Sequence, residues 1–480
     1  MADKPLVAFV GAHLPTYYAR EYRVFEQSVA GLQRLAQELD FELLAISEPL
    51  VTRAEAERLA GELEAAAVDF TLLQHGSFVM GDVLLPLADR RFRLGLWATE
   101  EPTKEGPIML NNFVSMNLAA GILTNYLREQ SLPFKWFYGG VDHPWFIPRL
   151  AVTVRALRAL KRLAGARIGW VGGLAPTFFN LAFDERVLAA RLGVEVQAHE
   201  LGELITRARA AAAGEVQEVV GKLQVAAEGR VEVSPEDMEV SAALYLAMRG
   251  FADEHDYDAL AVSDWPQFQA ELGIHPGMAF SWLDERAGIP VASEGDVLGA
   301  VTMLMMAEAT GGQAMLLDMN DLDFEREAVL MWHCGGSPLG FADERGVRWL
   351  NHSTLGRKVE GSRPLGAVAD LTFRPQPATI ARIADDGRQL LALEADVIES
   401  PHPGFEGSRG WLSGFTLDRR PLTLADLVNT IMVEGTPHHF ILGGGHHGAA
   451  LRELAAWSGM RLVERVPYRD HLQLVSRGGR

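Results

Sequence analysis

The sequence predicts an α/β protein in which two successive doubly wound parallel-sheet domains are followed by a β-rich, antiparallel barrel-like C-terminal domain. Three observations lead there. Strand-sized apolar runs alternate with helix-period stretches through the first two-thirds of the chain, the pattern restarts at Ile168 after a basic stretch, and short runs between turn residues take over from about 345. At 480 residues the chain exceeds one ordinary core. The boundaries read as 1–165, 166–344 and 345–480.

In the first domain, an apolar strand at 6–10, a helix at 24–39 and a strand at 41–46 have the spacing of a parallel crossover unit. Further strands are expected at 70–74 and 92–97. These runs are continuously apolar rather than alternating, as in a parallel sheet covered on both faces. The second domain opens with Ile168-Gly-Trp-Val-Gly-Gly-Leu174, a strand running into a glycine turn. Its later strands are expected at 259–263, 290–293 and 314–318, with helices at 236–251 and after Glu294. In the last domain, runs at 367–373, 379–383, 390–397 and 411–415 lie between Pro, Gly and Asp-Gly signals and predict antiparallel strands. A strand at 440–442, a glycine-rich loop at 443–448, a helix at 449–457 and a strand at 461–467 close the chain.

Composition narrows the function. Apolar residues make up 48% and charged residues 22%, which is globular rather than disordered. Lys plus Arg number 44 against 63 Asp plus Glu, a formal charge of −19 that repels nucleic acid and anionic membrane surfaces, so neither is expected as a partner. Cys334 is the single cysteine, which excludes an intramolecular disulfide or a multi-cysteine metal site and suits a reducing compartment. The first apolar run is too short for a signal sequence, and the longest, 297–306, is about half of the roughly 20 residues a membrane span needs. A cytoplasmic protein is the expectation.

The acids that could carry chemistry sit at strand ends, where open α/β sheets gather ligands. Glu294 leaves an apolar strand and precedes a Met- and Leu-rich helix. Alone it reads as a helix-start charge, a role Asp296 fills better. Asp318 follows Glu294 by 24 residues, room for one helix and a return strand, so two successive strands would bring both carboxylates to one edge. Hard divalent cations favour such oxygen ligands. Asp321 and Asp323 read as loop charges. His446 and His447 emerge from Gly443-Gly-Gly-His-His-Gly448, which suits a metal contact, an anion-binding loop or a plain surface loop. His333 follows Asp318 by 15 residues and suits a pocket, a metal site or the core, while the adjacent Cys334 is not expected to be a nucleophile.

Glu294-Gly-Asp-Val-Leu-Gly-Ala with Met303, Leu317-Asp318, His333-Cys334-Gly335 and Gly445-His446-His447-Gly448 together resemble the L-fucose isomerase and L-arabinose isomerase superfamily, in its fucose-isomerase-like branch. The resemblance implies a metal-dependent aldose–ketose isomerase acting on a sugar or modified sugar. It makes Glu294 and Asp318 metal ligands and the acid/base pair, with His446, preferred over His447, completing the site. The implied metal is Mn2+, with Mg2+ or Co2+ as substitutes. Substrate contacts would come from His333 and His447; Trp97, positioned like a family pocket tryptophan that acts across an interface, and Trp265, which follows the strand expected at 259–263, suit sugar stacking or plain packing equally. The implied assembly is a homo-oligomer, a hexamer or trimer, with pocket contributions from a neighbouring subunit. Two alternatives stay open: a non-catalytic sugar-binding or regulatory protein, and a metal-dependent epimerase or lyase on the same scaffold.

Overall fold

The computed structural model describes residues 4–357, 360–400, 402 and 404–473. The chain forms two compact units, 1–161 and 162–480. Among the described residues, no helix is long and apolar enough to cross a membrane.

The first unit holds an all-parallel sheet of β1 (Leu6–Ala12), β2 (Glu42–Ala45), β3 (Phe70–His75), β4 (Leu94–Ala98) and β5 (Phe134–Tyr138), in the order β2-β1-β3-β4-β5. The inner strands β1, β3 and β4 are almost wholly buried, as their uninterrupted apolar runs require. Strand β5 escaped the sequence reading because it lies at an edge, is only partly buried and carries Lys135. Trp97 on β4 corrects an expectation. It is fully buried, donates its indole N–H to the Gly139 carbonyl at 2.8 Å, and packs on Phe146 with ring centroids 4.6 Å apart. Core packing occupies the ring face that was expected to stack on a sugar.

The second unit begins with a four-stranded parallel sheet of β6 (Arg167–Val171), β7 (Glu195–His199), β8 (Ala259–Val262) and β9 (Val291–Ala292), ordered β7-β6-β8-β9. The chain then leaves that sheet. Strands β10 (Ala314–Asp323) and β11 (Ala328–His333) form an antiparallel hairpin, and β12 (Arg348–Leu350) and β13 (Val368–Thr372) flank the new sheet. With β14 (Gln376–Ala384), β15 (Gln389–Ile398), β16 (Ser408–Leu417) and β18 (His439–Gly444), the hairpin closes a six-stranded antiparallel barrel. Its pairing runs β16-β11-β10-β18-β14-β15 and returns to β16. The short β17 (Arg420–Pro421) and β19 (Arg461–Leu462) attach to β16 and β15.

The expectations for Asp318 and for Asp321 and Asp323, read as loop charges, change here. Asp318 does not end a strand of the parallel sheet; it lies inside β10, a barrel strand that continues through Asp321 to Asp323. The helix Val297–Thr310 links the two architectures. It is apolar almost all round and almost wholly buried, and it packs on β8 and β9 of the parallel sheet and on β10, β14 and β18 of the barrel.

Candidate active site

The site grows from the turn between β9 and that helix. Glu294 adopts φ 62° and ψ 15°, a left-handed conformation that costs a non-glycine residue about 1 kcal/mol. Hydrogen bonds hold the turn on three sides. The Glu294 N–H donates to Asp264 Oδ1 at 2.9 Å, its carbonyl accepts from the Ala175 N–H at 3.0 Å, and the Gly295 carbonyl accepts from the Trp170 indole at 3.1 Å. Gly295 is required: at φ 72° a Cβ would lie 2.0 Å from the Gly173 carbonyl oxygen.

Asp296 starts the helix, accepting the Gly299 N–H at 2.9 Å, the cap role expected of it. It does more. Asp296 and Arg382 of β14 are both fully buried and paired through both guanidinium nitrogens. Asp296 Oδ2 also meets His439 Nδ1 at 2.9 Å. A carboxylate on one imidazole nitrogen fixes the ring and leaves Nε2 to face a ligand.

The antiparallel register then sets His439 of β18 opposite Asp318 of β10. His439 Nε2 lies 3.9 Å from Asp318 Oδ1 and 3.3 Å from Glu294 Oε2. Even so, His439 Nε2 and Asp318 Oδ1 are buried without a hydrogen-bond partner, an arrangement that costs about 1–3 kcal/mol per group. His438 Nε2 reaches Glu294 Oε2 at 3.1 Å, and its Nδ1 is 2.9 Å from Asn180 Nδ2. His333 completes the ring of donors: its ligand atom lies within 4.8 Å of those of Glu294 and His439, and Asp318, His438 and His439 form a second such group.

Electrostatics points the same way. Burial opposes charge on Glu294, but the neighbouring imidazoles of His438 and His439 outweigh it and hold the carboxyl below its usual range. Burial likewise works against a charged His439, and Asp296 and Glu294 overcome it and raise the imidazole above its ordinary value. His333 is lowered by burial. Burial, with Asp264, Asp318 and Glu294 nearby, pushes the Cys334 thiol up, away from nucleophilic use. Glu294, Asp296 and Asp318 against Arg382 leave a formally negative pocket around orphaned nitrogen and oxygen donors, and this donor set fits a divalent cation such as Mn2+.

Of the residues expected from sequence, the fold gathers Glu294, Asp318 and His333 in one place. His446 does not join them. It lies beyond the far end of β18, roughly 20 Å of extended chain from His439, and pairs with Asp396 at 3.1 Å. His447 has its N–H on Thr379 Oγ1 and precedes the helix Gly448–Ser458. The Gly448 N–H at the start of that helix is taken by Glu394 at 2.8 Å, so the protein's own carboxylate occupies the place an anion would take. Trp265 is partly exposed and stands edge-on to Phe178, which stacks on His438. Sequence reasoning missed His438, His439, Arg382 and Asp264. The available signal was a second His-His pair directly before an apolar strand, and an arginine inside one.

Among known proteins the chain falls with isomerases, and it is an isomerase. Sulfoquinovose isomerase of Priestia megaterium (strain ATCC 12872 / QMB1551) is 27% identical over 417 residues, covering 85% of this chain and 88% of that protein. The sulfoquinovose isomerase of Alkalicoccus urumqiensis is 24% identical over 407 residues, covering 82% and 86%, and that of Clostridium sp. (strain MSTE9) is 23% identical over 404 residues, with the same coverage. No protein-family model matches. Among solved structures, an ABC-transporter solute-binding protein from Burkholderia multivorans aligns with 65% of this chain and 95% of its own at 14% identity and a TM-score of 0.19, a likeness too slight to bear on function.

Proposed function

We propose that this protein is a divalent-metal-dependent aldose–ketose isomerase whose substrate is a sulfonated hexose of the sulfoquinovose type. One observation carries the metal reading: Glu294, Asp318 and His439 converge on a buried point at which His439 Nε2 and Asp318 Oδ1 have no hydrogen-bond partner. The substrate class rests on the likeness to sulfoquinovose isomerases over more than four-fifths of the chain.

In this reading Glu294, Asp318 and His439 hold the cation, with His333 beside them, and Asp296 fixes the His439 ring through Nδ1. When bound, the cation would supply Lewis acidity that offsets negative charge building on the two sugar oxygens as an enediolate forms. The chain's own groups move the proton. One of the paired carboxylates, Glu294 or Asp318, takes it from the carbon next to the carbonyl, and the conjugate acid of the pair returns a proton to the neighbouring carbon. His438 keeps Glu294 oriented through Oε2. Phe178 and Trp265 form an aromatic wall behind His438 against which the apolar face of a sugar can lie. The reading also takes the protein to be a cytoplasmic homo-oligomer, supported by the single cysteine and the family resemblance.

The test is ketose formation by purified protein loaded with Mn2+, from sulfoquinovose and from L-fucose and L-arabinose as unsulfonated controls. The proposal expects turnover of the sulfonated aldose, its loss on chelation, and a fall of at least about a hundredfold in Glu294→Gln and Asp318→Asn. Full activity in a chelated enzyme or in either variant would contradict the metal and acid/base roles, and turnover confined to the controls would contradict the substrate class.

A further inference from the structure

We infer that Asp264 is a positioning residue for Glu294, an inference that rests on the proposed role of Glu294. Asp264 follows β8, is 2% exposed, and places Oδ1 on the Glu294 N–H at 2.9 Å. Its second oxygen faces His275 Nε2 at 3.5 Å. His275 is itself buried, its Nδ1 accepts the Gly277 N–H at 3.2 Å, and its Nε2 also lies 3.5 Å from Cys334 Sγ. Asp264 thus lies between His275 on one side and the turn it holds on the other.

The turn needs such an anchor. Glu294 and Gly295 are successive left-handed residues, a backbone that a glutamate adopts only when its surroundings impose it. The Ala175 N–H and the Trp170 indole fix the two carbonyls, whereas Asp264 fixes the Glu294 amide itself. Without that acceptor, a partly buried N–H loses its partner and the turn can relax toward ordinary φ, rotating the Cα–Cβ bond that carries the carboxylate. Asp264 acts on the chemistry through the aim of Glu294, not through the substrate.

The experiment compares wild type, Asp264→Ala, Asp264→Asn and Glu294→Gln in the full chain, measuring Mn2+ affinity by titration, kcat and KM separately, and melting temperature without metal. Asp264→Ala is expected to weaken Mn2+ binding and to lower kcat by about 10- to 100-fold with KM nearly unchanged. Asp264→Asn, whose amide oxygen can still accept the Glu294 N–H, is expected to recover most of both. Wild-type Mn2+ affinity and kcat in a folded Asp264→Ala overturn the inference, as does an Asp264→Asn that is folded and as impaired as Asp264→Ala. Impairment in Glu294→Gln with none in Asp264→Ala overturns this inference alone, while wild-type behaviour in Glu294→Gln overturns the reading beneath it as well. Should Asp264→Ala fail to fold, amide hydrogen exchange of the wild type decides: protection at the Glu294 N–H is expected, and exchange as fast as an exposed loop amide refutes the anchor.

Discussion

Arg382 and Asp296 are both at 0% exposure, so the pair stands or falls on its mutual compensation. Removing one partner of such a pair leaves an uncompensated buried charge and costs about 3–5 kcal/mol. Arg382→Met strands the Asp296 carboxylate, but His439 remains on Oδ2 at 2.9 Å as a second source of compensation, so the loss belongs at the low end, about 3 kcal/mol. Asp296→Asn strands a guanidinium that has no other carboxylate within salt-bridge distance among the described residues, so its loss belongs at the high end, about 5 kcal/mol. The double variant carries neither charge. It should therefore lose less than the two single variants together, with a coupling of about 2–3 kcal/mol. Urea unfolding of metal-free protein, followed by circular dichroism with slope and midpoint fitted for all four forms, measures this. Losses that add to within about 0.5 kcal/mol would refute compensation within the pair.

Two further outcomes follow. His75, 1% exposed at the end of β3, is pushed down by burial to about 3, against 6.5 for the free side chain. A depressed imidazole gives stability that is complete above pH 6.5 and is lost as pH falls toward 3, at about 1.4 kcal/mol per pH unit. Between pH 7.5 and 5.5 the unfolding free energy of the wild type should fall by about 1.4 kcal/mol more than that of His75→Gln, and equal falls would disprove the assignment. Gly295→Ala meets both a left-handed φ and the Gly173 carbonyl, so it should destabilise by at least about 2 kcal/mol and weaken Mn2+ binding, and a neutral substitution would show that the turn is not rigid.

Much of the architecture was legible because apolar runs announce buried strands: β1, β3, β4, β8 and the barrel strands β14 to β16 all overlap their expected positions. Strands β5 and β7 were not legible, since one is an edge carrying Lys135 and the other, Glu195–His199, is mostly exposed. The acids could be read because Glu294 and Asp318 interrupt otherwise apolar sequence. The histidine could not. Two His-His pairs lie within ten residues, and only the pairing of β10 with β18 decides that His439, not His446, faces Asp318. Arg382 was a signal overlooked: an arginine amid Thr379-Ile-Ala-Arg-Ile383 requires a buried carboxylate, and Asp296 supplies it. Trp97 was legible as well: its strand is continuously apolar, which implies cover on both faces of the sheet and hence a buried ring.

Which histidine completes the site is tested most directly by Mn2+ titration of the full chain in wild type, His439→Gln and His446→Gln. The account predicts that His439→Gln weakens binding by at least about tenfold and that His446→Gln leaves it unchanged. Loss of affinity in His446→Gln with retention in His439→Gln would contradict it.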